Sequence, residues 1–340
     1  MRHEPAPATS VDRPRHEPNG QRHTYGALDL GTNNCRLLIA RPTQDSFTVI
    51  DAFSRIVRLG EGLSRTGRLS DDSMDRAVAA LAVCGDKLRR RNVSLSRSVA
   101  TEACRRAANG RKFVERVRNE TGIALEVIEP QEEARLAMLG CHKLLEPGDG
   151  PALIFDIGGG STELVLVDQF GGTPSIRSWW SAPWGVVSLT ESEGREAIEG
   201  EDRVRAYKRM RERVRRSFDQ FESMLPKDRK GIRLLGTSGT VTTLASVHLA
   251  LPSYDRRAVD GLHVPIEAMH AISSMIAEMD HEERAALPCI GPDRADLVVA
   301  GCAILEAILE IWPAKTLGVA DRGIREGILR SLMARDGYKL

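Results

Sequence analysis

Two carboxylates bracket a glycine turn in Asp156-Ile-Gly-Gly-Gly-Ser-Thr-Glu163. The N–H groups of Gly158, Gly159 and Gly160, with the Ser161 and Thr162 hydroxyls, form a concavity of donors suited to phosphate oxygens. Three glycines also let the backbone reach positive φ and approach a ligand closely. Asp156 and Glu163 would repel a phosphate unless a hard cation stood between, which points to Mg²⁺ held through oxygen ligands and water. An ordinary glycine hairpin would explain one such turn. A second, Asp29-Leu-Gly-Thr-Asn-Asn34, matches it Asp on Asp and Gly on Gly, with Gly31, Thr32, Asn33 and Asn34 filling the turn. Two like turns far apart in one chain imply two similar domains that clamp a run of phosphates from both sides. Asp29, Asp156 and Glu163 then locate the metal.

A third loop, Gly236, Thr237, Ser238 and Gly239, leads from a short apolar strand into a helix, whose free N–H groups and dipole favour an anion. Hydrolysis also needs an acceptor that orients water for in-line attack. Glu132 and Glu133 are the candidates, although two glutamates in a first helical turn are equally explained by the helix dipole. Arg105 and Arg106 follow a strand and could neutralise phosphate charge, or form a surface basic pair. No Ser/His/Asp arrangement or Cys-x₅-Arg loop indicates a covalent intermediate. No G-x₄-G-K-[ST] occurs, and the run after Gly160 is strand-like, so P-loop and dinucleotide-binding readings both fail.

The elements that must carry these turns alternate. Strand-like runs at Tyr25–Leu28, Leu37–Ile39, 98–101 and 125–128 are separated by helical patterns at 74–88, 109–121 and 132–145, which gives an α/β domain. Gly148-Asp-Gly-Pro151 is turn-rich and divides residues 24–148 from 149–340. In the second part, 179–189 reads as strand plus loop and 201–224 as a long helix. One face of that helix is rich in arginine, either a solvated face or a groove for a polyanion. Residues 295–311 read as an apolar core helix, 315–319 as a last strand and 323–333 as a closing helix. Residues 1–23, with four prolines and few large apolar side chains, read as a disordered tail.

At 340 residues, 41% hydrophobic and 28% charged, the chain suits two soluble domains. A formal net charge of +1 selects neither nucleic acid nor an anionic membrane. Six cysteines without C-x-x-C or zinc spacing read as reduced thiols of a cytoplasmic protein. The longest apolar stretch is too short to span a bilayer, and a homodimer is left open.

Taken in order, the motifs resemble those of the exopolyphosphatase and guanosine pentaphosphate phosphatase family, within the superfamily of actin, sugar kinases and heat-shock chaperone ATPases. They are Asp29-Leu-Gly-Thr-Asn-Asn-Cys-Arg-Leu-Leu-Ile, Ala100-Thr-Glu-Ala-Cys-Arg-Arg-Ala-Ala-Asn, Glu132-Glu-Ala-Arg-Leu and Asp156-Ile-Gly-Gly-Gly-Ser-Thr-Glu-Leu. Gly185-Val-Val-Ser-Leu-Thr-Glu, Gly236-Thr-Ser-Gly-Thr-Val-Thr-Thr-Leu-Ala and Gly323-Ile-Arg-Glu-Gly-Ile-Leu follow. The resemblance, from about Tyr25 to Leu332, implies two ribonuclease-H-like (actin-like ATPase) domains around a ligand cleft. It also implies metal-dependent release of terminal phosphate from inorganic polyphosphate or guanosine pentaphosphate. It makes Glu133 the water-activating glutamate and Arg105 a phosphate contact, and it matches Asp156, Gly158 and Glu163 to metal- and phosphate-site positions. Cys35, Asn34, Glu102 and Glu129-Pro-Gln131 depart from the family's usual residues. The other readings are an ATP-dependent phosphotransferase of sugar-kinase type and a guanosine tetraphosphate-binding sensor with weak catalysis.

Overall fold

The computed structural model describes residues 23–148, 150–168, 174–227 and 231–338. The expected disordered tail, apart from His23, lies outside the described residues. The first sheet holds β1 (Tyr25–Leu30), β2 (Asn34–Pro42), β3 (Phe47–Ile56), β4 (Leu95–Ala100) and β5 (Leu125–Val127), in the order β3-β2-β1-β4-β5. The second holds β6 (Ala152–Ile157), β7 (Thr162–Asp168), β8 (Ser175–Ala182), β9 (Arg233–Thr237), β10 (His263–Pro265) and β11 (Thr316–Ala320), in the order β10-β11-β9-β6-β7-β8. Apart from the edge strand β10, the two orders correspond strand for strand. The chain has built one α/β unit twice, as the paired turns imply.

Ten helices matter to the site. They are α1 (Asp71–Arg90), α2 (Glu102–Arg106), α3 (Gly110–Thr121), α4 (Pro130–Cys141), α5 (Val186–Glu193), α6 (Arg203–Ser217), α7 (Gly239–His248), α8 (Ile266–Glu278), α9 (Val298–Ile311) and α10 (Ile324–Arg335). Signals readable in sequence set several of their ends: the Ser70 side chain caps α1 by accepting from Ser73 N, and Pro130 occupies the first turn of α4. The region 179–189, read as strand plus loop, ends inside α5, which runs on to Glu193. Its start is set by Gly185, where the helix begins against the glycine turn, and its short apolar run has no helical period to betray it. Helix α6 ends at Ser217, short of the 201–224 expectation.

Strand β6 is buried on both faces. Leu153 and Phe155 join the large core under α6, α7 and α9, while Ala152 and Ile154 face α4. A central strand covered by helices on both sides reads as an unbroken apolar run. Helices α4 and α10 are exchanged between the two sheets. Helix α4 follows β5 of the first sheet but lays Ala134, Met138 and Cys141 on β6, β7 and β9 of the second. Helix α10 follows β11 of the second sheet but packs Ile324, Ile328, Leu332 and Met333 on Tyr25, Ala27, Leu38 and Val99 of the first. The sequence division at 148/149 therefore follows the sheets but not these two helices, because each buries its apolar stripe on the opposite sheet.

The exchanged helices meet backbone to backbone. A Cβ on Gly140 would lie 2.0 Å from the Gly323 carbonyl oxygen, and one on Gly327 would lie 2.0 Å from that of Leu136. Helix propensity alone would make Gly327→Ala stabilising by about 1 kcal/mol. The overlap with backbone reverses the sign, and a loss of about 3 kcal/mol is expected. A lowered urea midpoint checks this; an unchanged or raised midpoint would mean that the helices do not touch there.

Candidate active site

The two hairpins have the same geometry. Gly31 N donates to Asn34 O at 2.9 Å, and Gly158 N donates to Ser161 O at 2.9 Å. Opposite one another across the hairpins stand Asp29 with Arg36, and Asp156 with Glu163. The glycine triplet is not left-handed: none of Gly158, Gly159 or Gly160 is among the residues with positive φ. Close approach is what requires these glycines. A Cβ on Gly159 would lie 2.9 Å from Thr32 Cβ, one on Gly160 2.7 Å from Thr32 Oγ1, and one on Gly185 2.4 Å from the Gly159 carbonyl carbon. The two turns thus touch tip to tip across the domains. Around that contact, Gly62 N donates to Glu191 Oε1 at 2.6 Å and Arg58 pairs with Asp296 at 3.6 Å, tying the first domain's loop to the second.

Between the hairpins lies a cleft of about 150 Å³, where one water takes roughly 10–15 Å³. That is room for several phosphoryl groups. Its walls carry Asp29, Gly31, Thr32, Asn33 and Asn34 from the first hairpin, with Asp156, Gly158, Gly159, Gly160, Ser161 and Glu163 from the second. Ser238 and Gly239 reach it at the start of α7, and Glu133 reaches it from α4. Three expected phosphate ligands do not. Thr162 turns into the fold and donates to Trp184 O at 2.7 Å, while Thr237 donates to Arg322 O at 2.7 Å. Gly236 is packed under Phe155 and Val241, where a Cβ would meet the Phe155 ring at 2.5 Å.

Geometry separates the two glutamates. Glu132 faces Arg97 and Arg135, at 2.7 Å from each, and these hydrogen bonds, led by that of Arg135, pull its carboxyl down to about 2. Glu133 is turned about 100° further round the helix and is buried at the cleft. Burial first, then repulsion from Glu163, pushes its carboxyl well above the usual range against the pull of Arg105. Burial and Asp29 push Asp156 up to about 6, and burial and Asp156 push Glu163 up to about 8. Glu163 Oε1 accepts from Ser161 Oγ at 2.8 Å and Ser181 Oγ at 3.0 Å, which fixes the carboxylate.

Arg105 stands behind this set and does not line the cleft. Its Nη1 donates to Ile128 O at 2.5 Å and its Nη2 to Glu102 Oε2 at 2.6 Å, while Glu133 Oε2 lies 3.4 Å from Nη1. It positions two carboxylates, where the resemblance implied a phosphate contact. The cations on the cleft wall are Arg36 and Arg294. Arg36 was legible as the residue opposite Asp29 in the hairpin; Arg294 carries no local signal, since it arrives from the loop before α9 and donates to Thr243 Oγ1 at 2.7 Å. The arginine face of α6 is engaged along its length: Arg209 and Arg213 pair with Glu193, Arg211 with Glu310, and Arg215 with Asp219 and Glu222. It is a paired helix face, and the polyanion-groove reading has no support there.

The donor set fits a hard cation. The ligands are all oxygen, and the buried Asp29 Oδ1 has no hydrogen-bond partner. Among the described residues, no three His, Cys, Asp or Glu side chains converge to hold an ion alone. That matches a cation held by one or two carboxylates, water and substrate oxygens.

A family model, the Ppx/GppA phosphatase family, matches residues 38–336. The chain belongs to that family. Exopolyphosphatase 2 of Mycobacterium tuberculosis is 30% identical over 90% of this chain and 97% of its own length. A guanosine-5'-triphosphate,3'-diphosphate pyrophosphatase of Aliivibrio fischeri is 27% identical over 89% of this chain, which spans 58% of that longer protein. The crystal structure of the Aquifex aeolicus Ppx/GppA member superposes with a TM-score of 0.75 at 31% identity, covering 93% of this chain and 99% of that one. The two-domain actin-like ATPase fold is thereby shared. All six cysteines are free and buried, and no helix among the described residues is long and apolar enough to cross a membrane.

The raised carboxyls fix a sign for stability against pH. With folded pKa above unfolded, Glu163 leaves the folded state holding more protons between the ordinary glutamate value and about 8. Its contribution is present below the unfolded pKa and is lost as pH rises through the folded one. Thermal unfolding of the protein in chelator should show stability falling from about pH 5 to pH 8. Glu163→Gln should flatten that fall, and an equally steep fall in the variant would contradict the assignment.

Proposed function

We propose that this protein is a phosphohydrolase that releases terminal phosphate from phosphoanhydride chains, either inorganic polyphosphate or guanosine pentaphosphate. The observation that carries the reading is Glu133, buried with its pKa raised, at the floor of a cleft walled by two donor-rich hairpins. The turn N–H groups between the hairpin-closing Gly31 and Gly158 and the exit strands, at residues 32–33 and 159–160, hold phosphate oxygens, and Arg36 adds positive charge on the first wall. Glu133 accepts a proton from the attacking water and aligns it with the terminal phosphorus. Arg105 keeps Glu133 turned toward the cleft, with Ile128 O and Glu102 fixing the guanidinium in turn. One or two of Asp29, Asp156 and Glu163, with water and substrate oxygens, would hold Mg²⁺, which when bound would supply positive charge against the phosphate oxygens. The family match, the relatives' activities and the oxygen-rich cleft support this reading. A cytoplasmic location is consistent with six free thiols.

Glu133→Gln keeps the shape of the side chain and removes the proton acceptor. Turnover should fall by about a thousandfold or more, while tripolyphosphate binding in Mg²⁺ stays within a few fold. Phosphate release is measured on long polyphosphate, tripolyphosphate and guanosine pentaphosphate, with Mg²⁺ and with chelator, and with no acceptor added. Wild-type-like turnover in the variant would sink the role of Glu133. Absence of free phosphate from every substrate would instead favour transfer to an acceptor.

A further inference from the structure

We propose that Glu102 is a specificity-determining residue, a carboxylate built into the phosphate end of the cleft that keeps metal-free phosphate chains out. The inference rests on the phosphohydrolase reading above. Glu102 opens α2 directly after Thr101 and lines the cleft beside Thr32 and Gly160. A Cβ on Gly160 would come within 2.9 Å of Glu102 Cγ, so the side chain sits where the two hairpin tips meet. Both of its oxygens face cations of its own helix: Arg105 Nη2 at 2.6 Å from Oε2, and Arg106 Nε at 3.7 Å from Oε1.

This placement has two consequences for an arriving phosphate. Both terminal nitrogens of Arg105 are engaged, and Glu102 stands between that guanidinium and the cleft. The cleft lining also presents five carboxyl groups (Asp29, Glu102, Glu133, Asp156, Glu163) against two guanidinium groups (Arg36, Arg294), with Arg105 and Arg106 behind Glu102. Four of the five are assigned to the metal and the water. Glu102 also fixes Arg105 from one side, and its carboxylate faces the substrate from the other. A bare phosphate chain is repelled, whereas one that brings its own divalent cation carries the compensating charge.

The test is calorimetry of inorganic tripolyphosphate with the full chain, in chelator and in Mg²⁺. Glu102→Gln retains the size and an acceptor oxygen for Arg105 but drops the charge. In chelator the variant should bind roughly tenfold tighter than wild type, the gap narrowing to about threefold or less in Mg²⁺. Damage to the fold would weaken binding, so a gain separates charge from structure. Glu102→Asp keeps the charge and should bind in chelator as weakly as wild type. Equal or weaker binding by Glu102→Gln in chelator would overturn the proposal, as would a gain of the same size in Glu102→Asp. If wild type fails to bind tripolyphosphate even in Mg²⁺, the phosphohydrolase reading falls and this proposal with it. Binding by wild type with no change in Glu102→Gln overturns the role of Glu102 alone.

Discussion

The crossing of α4 and α10 is the constraint on which the rest of the molecule depends. Each helix is covalently part of one sheet's unit and buries its apolar stripe on the other. They cross where Gly140 meets Gly323 and Gly327 meets Leu136, with no side chain between the backbones. Two domains joined in this way cannot drift apart without stripping apolar surface from both sheets. The same crossing sets the depth of the cleft. Glu133 is one turn before Leu136 on α4, and Ile324, at the start of α10, lines the cleft wall. Close helix packing and the position of the proposed base are thus one feature.

Above that crossing, the site gathers negative charge in a place with little water. Burial raises the pKa of Asp29, Glu133, Asp156 and Glu163, and repulsion adds to it: Asp29 on Asp156, Asp156 on Glu163 and Glu163 on Glu133. Such a cluster costs stability unless cations compensate it. Part of the compensation is internal: Arg36 and Arg325 act on Asp29, and Arg105 acts on Glu133. The remainder suits a divalent ion arriving with substrate, so the electrostatics that destabilise the empty site favour its occupied form.

How much of this was legible in the sequence follows from where each signal resides. The hairpins were readable because their chemistry is contiguous: an aspartate and a glycine repeat at the same offsets in 29–34 and 156–161, and a polar residue, Asn34 or Ser161, closes each turn. The choice between Glu132 and Glu133 was not readable from spacing, since adjacent residues on a helix differ by about 100° in direction and either direction could have faced the cleft. It took the resemblance, and then Arg97 and Arg135 around Glu132, to separate them. The reason for Gly159 and Gly160 was also hidden. Positive φ is a local property, but contact with Thr32 belongs to another domain. Thr162, Gly236 and Thr237 show the same limit from the other side: a polar or glycine residue in a phosphate-like motif turned into the fold, because strand alternation or core packing directs it there. The exchange of α4 and α10 had no signature, because an apolar stripe does not say which sheet it will cover. The arginines of α6 left a polyanion groove open beside a solvated face because their partners, Glu193 and Glu310, lie outside the helix.

The two halves of the clamp are alike in backbone and unlike in charge, and that asymmetry suits them to different work. At the same register, the first hairpin sets Arg36 against Asp29 and the second sets Glu163 against Asp156. The first pair is formally neutral and surrounded by turn N–H groups, which suits phosphate oxygens. The second pair is doubly acidic, with Glu163 oriented by two serines, which suits a cation. Duplication alone would give two equivalent walls and no direction for a phosphate chain lying between them. One exchanged residue at one register position, arginine for glutamate, suits the first wall to the anion and the second to its counter-ion in the proposed reading. Glu133, entering from the helix that crosses between the domains, lines the same cleft, where the proposed function needs water to meet a terminal phosphorus lying between the two walls.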